Sequence, residues 1–501
     1  METTTSSNQD RRQWLLASGV LASGLALSKN SQAAGNDEAP DLFKVPPPAR
    51  DVHFLNRISY GVTADARKTV KVKGWKSVLA QQLNYQSIDD SELENFLSDN
   101  LQTLNLSSAE IINNDQLRQQ AARDLIIATI LRRIFSPRQL YERMVEFWSD
   151  HFNVSIRDGI VQFLKTAEDR EVIRPNAMGR FRDILHANAK SPAMLYYLDN
   201  YSNTSTGPNE NYARELMELH TLGVDGGYTE NDVIEVARCF TGWTISRRTV
   251  DFIFSPFTHD YDEKFVLGES IPAGGGLVDA EQVLDILADH PSTARFICTK
   301  LARRFVSDDP NDKLVNAMTD TFSATDGDIS AVLDTMFQHN LFWKAKDQKF
   351  KRPQDLLIST MRHLGFQVEE NVLRLVAERL EVLGQQVFSW PSPDGYPDVA
   401  GYWTNTGALI TRWNTASAAA FAMDEAELEE RLNGARSPNR IISAMAQNVI
   451  QRTISPQDLD VLRRNLFAGL PVNQPVPDDN QLVYARIVLT ALLSSRYFQN
   501  R

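Results

Sequence analysis

Cysteine is nearly absent from this chain. Two thiols in 501 residues, Cys239 and Cys298, cannot build a cysteine-only zinc site or a disulfide-stapled scaffold. Both stand in apolar helical patterns, so two buried thiols are expected, with one disulfide left open in an oxidising compartment. Positive charge is in deficit too. Against 64 acidic side chains stand 52 lysines and arginines, a net −12, which argues against nucleic acid and anionic membrane as partners. No apolar run reaches the ~20 residues of a membrane span. No H-E-x-x-H, phosphate-binding glycine loop, G-x-S-x-G or dinucleotide fingerprint occurs, and their absence removes most familiar hydrolase, kinase and dehydrogenase readings.

The opening residues carry an address. Arg11 and Arg12 precede the apolar run Trp14 to Leu27, and Ala33 and Ala34 follow in a small-residue cleavage context. This resembles a twin-arginine export signal. The expected organisation is a signal over 1–33, a Pro-rich linker over 34–49 and a helical domain over 50–501, with a possible sub-boundary near 270–280. The mature chain is expected to be soluble and periplasmic or secreted, with no membrane span. Removing 1–33, which holds three basic and two acidic side chains, leaves it one charge more negative than the whole. Twin-arginine export carries folded cargo, which weakly favours a bound metal or cofactor.

Helical periodicity dominates what remains. Long helices are expected over 110–150 and 161–190, and from Ala280, Pro291, Ala331, Pro353, Asn371 and Gln481. Strand signals are few: Asp251–Phe257 and Lys264–Leu267 are expected to pair as one short hairpin. Two stretches, Trp390–Asn405 and Leu470–Asn480, are irregular. The fold class is therefore mainly α: a large multi-helix globular domain with a short β-hairpin and long irregular loops.

The charged segment Asn209–Trp243 is the strongest site signal, because buried charge is costly unless it is paired or metal-bound. As an α-helix, Asn211–Gly223 places Glu215 and Glu218 together on one flank and His220 roughly 140–160° away. Two carboxylates at that spacing can share a cation or a proton. The bland counterpart is a structural network with Arg214 or Arg238. Thr229 and Asp232 form an expected capping box, and Gly226-Gly227 the turn between helices. In Tyr141–Phe152, His151 lies on the apolar side. His259 and Asp260 fall in a turn of FTHDYDEK, where an adjacent His-Asp pair is a weak metal signal. His53 and Arg57 share a helix face; His186, His290, His339 and His363 are expected to be structural.

Seven ordered segments resemble the bacterial family catalogued as domain of unknown function 1800. They are HFLNRISYG from His53, RMVEFWSDHFNVS from Arg143 and the charged segment from Asn209. FTHDYDEKFVLG from Phe257, HPSTARFICTKLARRFV from His290, KRPQDLLISTMRHLG from Lys351 and LLSSRYFQ from Leu492 complete the set. The resemblance covers nearly all of the mature chain. It implies exported, largely helical proteins without an established activity, often encoded beside a second exported family. Two departures stand out: Ser149, where such proteins often carry a histidine, and a less regular loop over Gly395–Trp403.

Two functional readings follow. In one, a metal-dependent periplasmic enzyme gathers His151, Glu215, Glu218 and His259 around one divalent ion of unknown identity, with Asp260 behind them. A carboxylate serves as general base, and Arg214 or Arg238 orients an anionic substrate. In the other, a non-catalytic cell-envelope protein uses Trp390, Tyr396, Tyr402 and Trp403 to bind a partner or polymer. A co-encoded exported protein is one candidate partner.

Overall fold

The structure is a computed structural model that describes residues 45–366, 370–468, 470–471 and 474–501. The expected signal, and all but the end of the linker, lie outside the described residues. Helices carry most of the rest, with two small antiparallel sheets of two strands each. The chain divides into two compact units. One comprises the described residues up to Val72 with Lys346–Val372 and Ala400–Arg501; the other comprises Lys73–Ala345 and Leu373–Val399. Residues 270–280, where the sequence suggests a sub-boundary, lie inside the second unit.

The first unit packs the helices Thr406–Ala422, Pro438–Asn448 and Gln481–Ser494 around a core that includes Ala420, Ile441, Met445, Val488 and Leu492. Its C-terminus is tied down. Arg501 exchanges backbone hydrogen bonds with Lys349, and its buried guanidinium lies 3.2 Å from Asp355. His363 is structural, as expected: Nε2 accepts the Val62 amide at 3.1 Å and Nδ1 donates to the Val449 carbonyl.

In the second unit the long helices of the sequence reading are interrupted. The 110–150 stretch breaks into Ser108–Ile112, Asp115–Phe135 and Gln139–His151, here α1. Asn114 caps the middle piece, and Pro137 stops it because proline cannot donate into a continuing helix. Next come α2 (Pro192–Tyr197), α3 (Glu210–Glu215) and α4 (Glu230–Cys239). The expected Thr229–Asp232 capping box is present at the start of α4. Both expected strands form, but not with each other. β1 (Trp243–Ile245) pairs with β2 (Phe252–Phe254), and β3 (Lys264–Val266) with β4 (Glu269–Ile271). Leu267 and Gly268 both take positive φ, 51° and 85°, which is a tight primed turn and closes β3 on β4 locally. The helices α5 (Leu277–Asp289) and α6 (Pro291–Phe305) follow. Cys239 and Cys298 are both free and buried, so no disulfide links them.

Candidate functional site

α1 is buried on almost every side. Leu140, Met144 and Trp148 fill the core, while its inward charges are answered individually. Glu142 takes a bidentate pair from Arg174 at 3.0 and 2.8 Å, and Glu146 receives Arg304 of α6. Such pairs hold register, because losing one partner leaves an uncompensated buried charge. α1 ends at Asp150 and His151. There the loop carrying Trp390–Asp398 docks: Asn153 donates its side-chain amide to the carbonyls of Trp390 and Ser392 at 3.1 and 2.7 Å. Gly395 adopts φ 73° and has the Asp150 carbonyl where a Cβ would stand. No side chain fits there, so the glycine lets the loop lie against the end of α1.

The docked loop brings Asp394 and Asp398 towards Lys300 of α6. Asp150, Asp394 and Asp398 all act on the Lys300 ammonium, yet burial outweighs them and brings it down to about 8. Among the described residues Lys300 has no hydrogen-bond or ion-pair partner; its Nζ stands 5.4 Å from the centre of the Phe296 ring. Arg304, one turn on, is spent on Glu146 and lies 3.7 Å from Asp398.

Two fully buried histidines, His151 and His220, feel the Lys300 charge and have ring centres 6.0 Å apart. His151 donates from Nε2 to the His220 carbonyl at 3.0 Å, which leaves Nδ1 as an acceptor without a partner. Neither ring nitrogen of His220 has one. Burial first, and Lys300 second, hold both rings neutral: His151 well below its ordinary value and His220 down to about 3. His220 sits in a π-helical turn, Leu216–Thr221, that continues α3. The Leu222 amide there reaches back five residues to Met217 at 2.9 Å. Such wide turns recur at functional sites, and this one means that a regular α-helical wheel does not describe Glu218 and His220.

Glu215 and Glu218 are half-buried. Burial, then the Glu218 charge, hold the Glu215 carboxyl above its usual range, and Asp394 adds to this. Glu218 accepts the Tyr228 hydroxyl at 3.5 Å. Tyr197 at the end of α2 donates to the Pro391 carbonyl at 2.8 Å and is pushed up to about 12, by burial first, with Asp394 and Glu215 contributing. Five carboxylates and one unpartnered amine therefore share this region, together with a phenol and a buried histidine pair.

The other nominated residues lie elsewhere. Arg214 binds Glu230 at 2.8 Å and Glu210 at 3.2 Å; Arg238 binds Asp260 at 2.8 Å and Glu235 at 2.9 Å. Neither arginine is ion-paired with Glu215 or Glu218, and neither has a guanidinium left over for an anionic substrate. His259 belongs to a closed network. Its Nδ1 faces the Thr241 carbonyl at 2.7 Å and its Nε2 faces Asp279 at 3.2 Å, while Lys264 binds the same Asp279 oxygen at 2.7 Å. Both ring nitrogens are thus engaged inside the protein by Thr241 and Asp279. Among the described residues no three His, Cys, Asp or Glu side chains are arranged to hold a metal ion. The set His151, Glu215, Glu218, His259 and Asp260 does not meet at one point. The aromatic surface is also divided: Tyr396 and Trp403 are buried and only Tyr402 is well exposed.

Sequence reasoning missed Lys300, Asp394 and Asp398, and set His220 aside. Lys300 reads as one cation among several in TKLARRF, and nothing in its spacing marks it as the unpaired one. The docking glycine, Gly395, was the available signal for the loop. A cavity of about 240 Å³ lies apart from this cluster, lined by Glu94, Asp169, Arg132, Arg170 and Arg174. Its guanidinium groups are held by Glu94, Asp169, Glu142 and Glu171.

The chain belongs to the family described as protein of unknown function DUF1800, whose model matches residues 53–500. No curated protein and no solved structure matches it. Among the described residues, no helix is long and apolar enough to cross a membrane.

Proposed function

We propose that this protein is an exported enzyme that performs acid–base chemistry on a polar substrate at Lys300. The observation that carries the reading is the Lys300 amine, half-buried and without a partner beside Asp150, Asp394 and Asp398. An amine brought near neutrality by burial can accept a proton or attack an electrophile at physiological pH. Carboxylates such as Glu215, held towards protonation by burial and a like-charged neighbour, supply the complementary acid. The carboxylates that act on Lys300 disfavour anions and favour hydroxylated or cationic compounds. Export rests on Arg11 and Arg12 ahead of an apolar run. No step here is routed through a metal.

The test is competitive acylation of the intact protein across pH, read at each lysine by mass spectrometry. Lys300 is expected to react with a midpoint near 8. A midpoint at the ordinary lysine value of about 10.4 would overturn the reading.

A second reading, a non-catalytic envelope protein, is favoured by one observation. The His259–Asp279–Lys264 and Arg238–Asp260 networks are fully answered internally and act as struts. It predicts binding without turnover, and a Lys300→Met variant that binds as the native protein does.

A further inference from the structure

Resting on the catalytic reading of Lys300, we infer that this residue forms an imine with a hydroxylated aldehyde or ketone. Three observations point to a carbonyl rather than another electrophile. First, Lys300 carries the nucleophile of this cluster: Cys239 and Cys298 are buried thiols on α4 and α6 that burial pushes up to about 12. Second, Lys300 presents an amine with no partner among the described residues, beside the Phe296 ring, which keeps bulk water from one side. Third, the groups an imine needs besides the amine are at hand. Protons must be given to a leaving oxygen and taken from nitrogen, and Asp150, Asp394 and Asp398 all act on Lys300.

The step balances without an oxidant or reductant. The Nζ lone pair attacks the carbonyl carbon and a C–N bond forms. The carbonyl oxygen takes a proton from a carboxylic acid, and the attacking nitrogen returns one to a carboxylate. The hydroxyl of this carbinolamine is then protonated, the C–O bond breaks and water leaves as C=N forms; the nitrogen proton passes back to a carboxylate. One carbonyl compound and one amine give one imine and one water. Asp150, Asp394 and Asp398 accept hydrogen bonds from hydroxyl groups and repel carboxylate or phosphate groups. That selects a small polyhydroxylated carbonyl compound, such as an open-chain sugar, over an α-keto acid.

The experiment incubates the whole protein at pH 7 with glycolaldehyde and cyanoborohydride, followed by peptide mass spectrometry. Reductive alkylation of Lys300 is expected at least tenfold faster than at any surface lysine, faster than with acetaldehyde and slower still with glyoxylate. Asp394→Asn supplies a readout that a structural role would not move: acylation of Lys300 at pH 7 should rise, because a charge that stabilises the ammonium is gone, while glycolaldehyde capture should fall. Capture of Lys300 no faster than at surface lysines, with an acylation midpoint still near 8, would sink the imine and leave the acid–base reading standing. An ordinary acylation midpoint would remove both.

Discussion

Trp390 donates its indole N–H to Oδ1 of Asp394 at 2.8 Å. The two residues sit four apart on the docked loop, and the bond fixes one of the carboxylates that act on Lys300. Replacing Trp390 by Phe keeps the flat ring and removes the donor. Folding stability should fall by less than about 1 kcal/mol. Acylation of Lys300 at pH 7 should rise roughly two- to fivefold as Asp394 loosens and the ammonium loses Coulombic support. An unchanged rate would mean that Asp394 is not held by this bond in solution.

Gly395 tests how the loop is seated. In Gly395→Ala the new methyl would meet the Asp150 carbonyl at a backbone conformation that L side chains rarely adopt. A cost of about 2–4 kcal/mol is expected in urea unfolding. Chymotrypsin should then cut after Phe388, at the edge of the loop, faster, while Asp398→Asn alone should leave cleavage unchanged. A native-like Gly395→Ala would mean the loop does not pack on α1.

Acid should unfold this protein earlier than its carboxylates alone require. His151, His220 and His363 are buried and held neutral, the latter two down to about 3. In the unfolded chain they protonate near pH 6.5. Their folded values lie lower, so the unfolded state binds more protons as pH falls from about 6.5 towards 3, and stability drops through that window. Each histidine can contribute up to about 1.4 kcal/mol per pH unit. The melting temperature should fall steadily from pH 6.5 to 5, with a shallower slope in His220→Phe. Identical slopes in the two proteins would show that His220 titrates normally.

Export can be tested apart from chemistry. Changing Arg11 and Arg12 together to lysine preserves charge and removes the twin-arginine pair. The precursor should then accumulate in the cytoplasm. Undiminished secretion would assign the other export route.

How much was legible beforehand depends on how local each feature is. Thr229 and Asp232 cap α4 within four residues of chain, so the box could be read directly. The strands around Phe252 and Lys264 were legible from β-branched and aromatic content, but their partners were not, because the Leu267-Gly268 turn closes a nearer pairing. Glu215 was rightly singled out as an unusual carboxylate position. Its nearness to Glu218 was legible too, whereas the π turn over Leu216–Thr221, which takes Glu218 and His220 off a regular helical wheel, was not.

Composition and periodicity by themselves determined a helical, acidic protein and the segment where charge is concentrated. Those properties follow from side-chain hydrophobicity repeating along the chain, which needs no folded partner. Tertiary structure alone decided which charges are answered. Arg238 finds Asp260, and His259 finds Asp279, across gaps of about 20 residues, while Lys300 meets Asp394 across nearly a hundred and stays unbonded. Pairing is a property of distance in space, and the sequence carries no record of which cations the fold leaves without a partner.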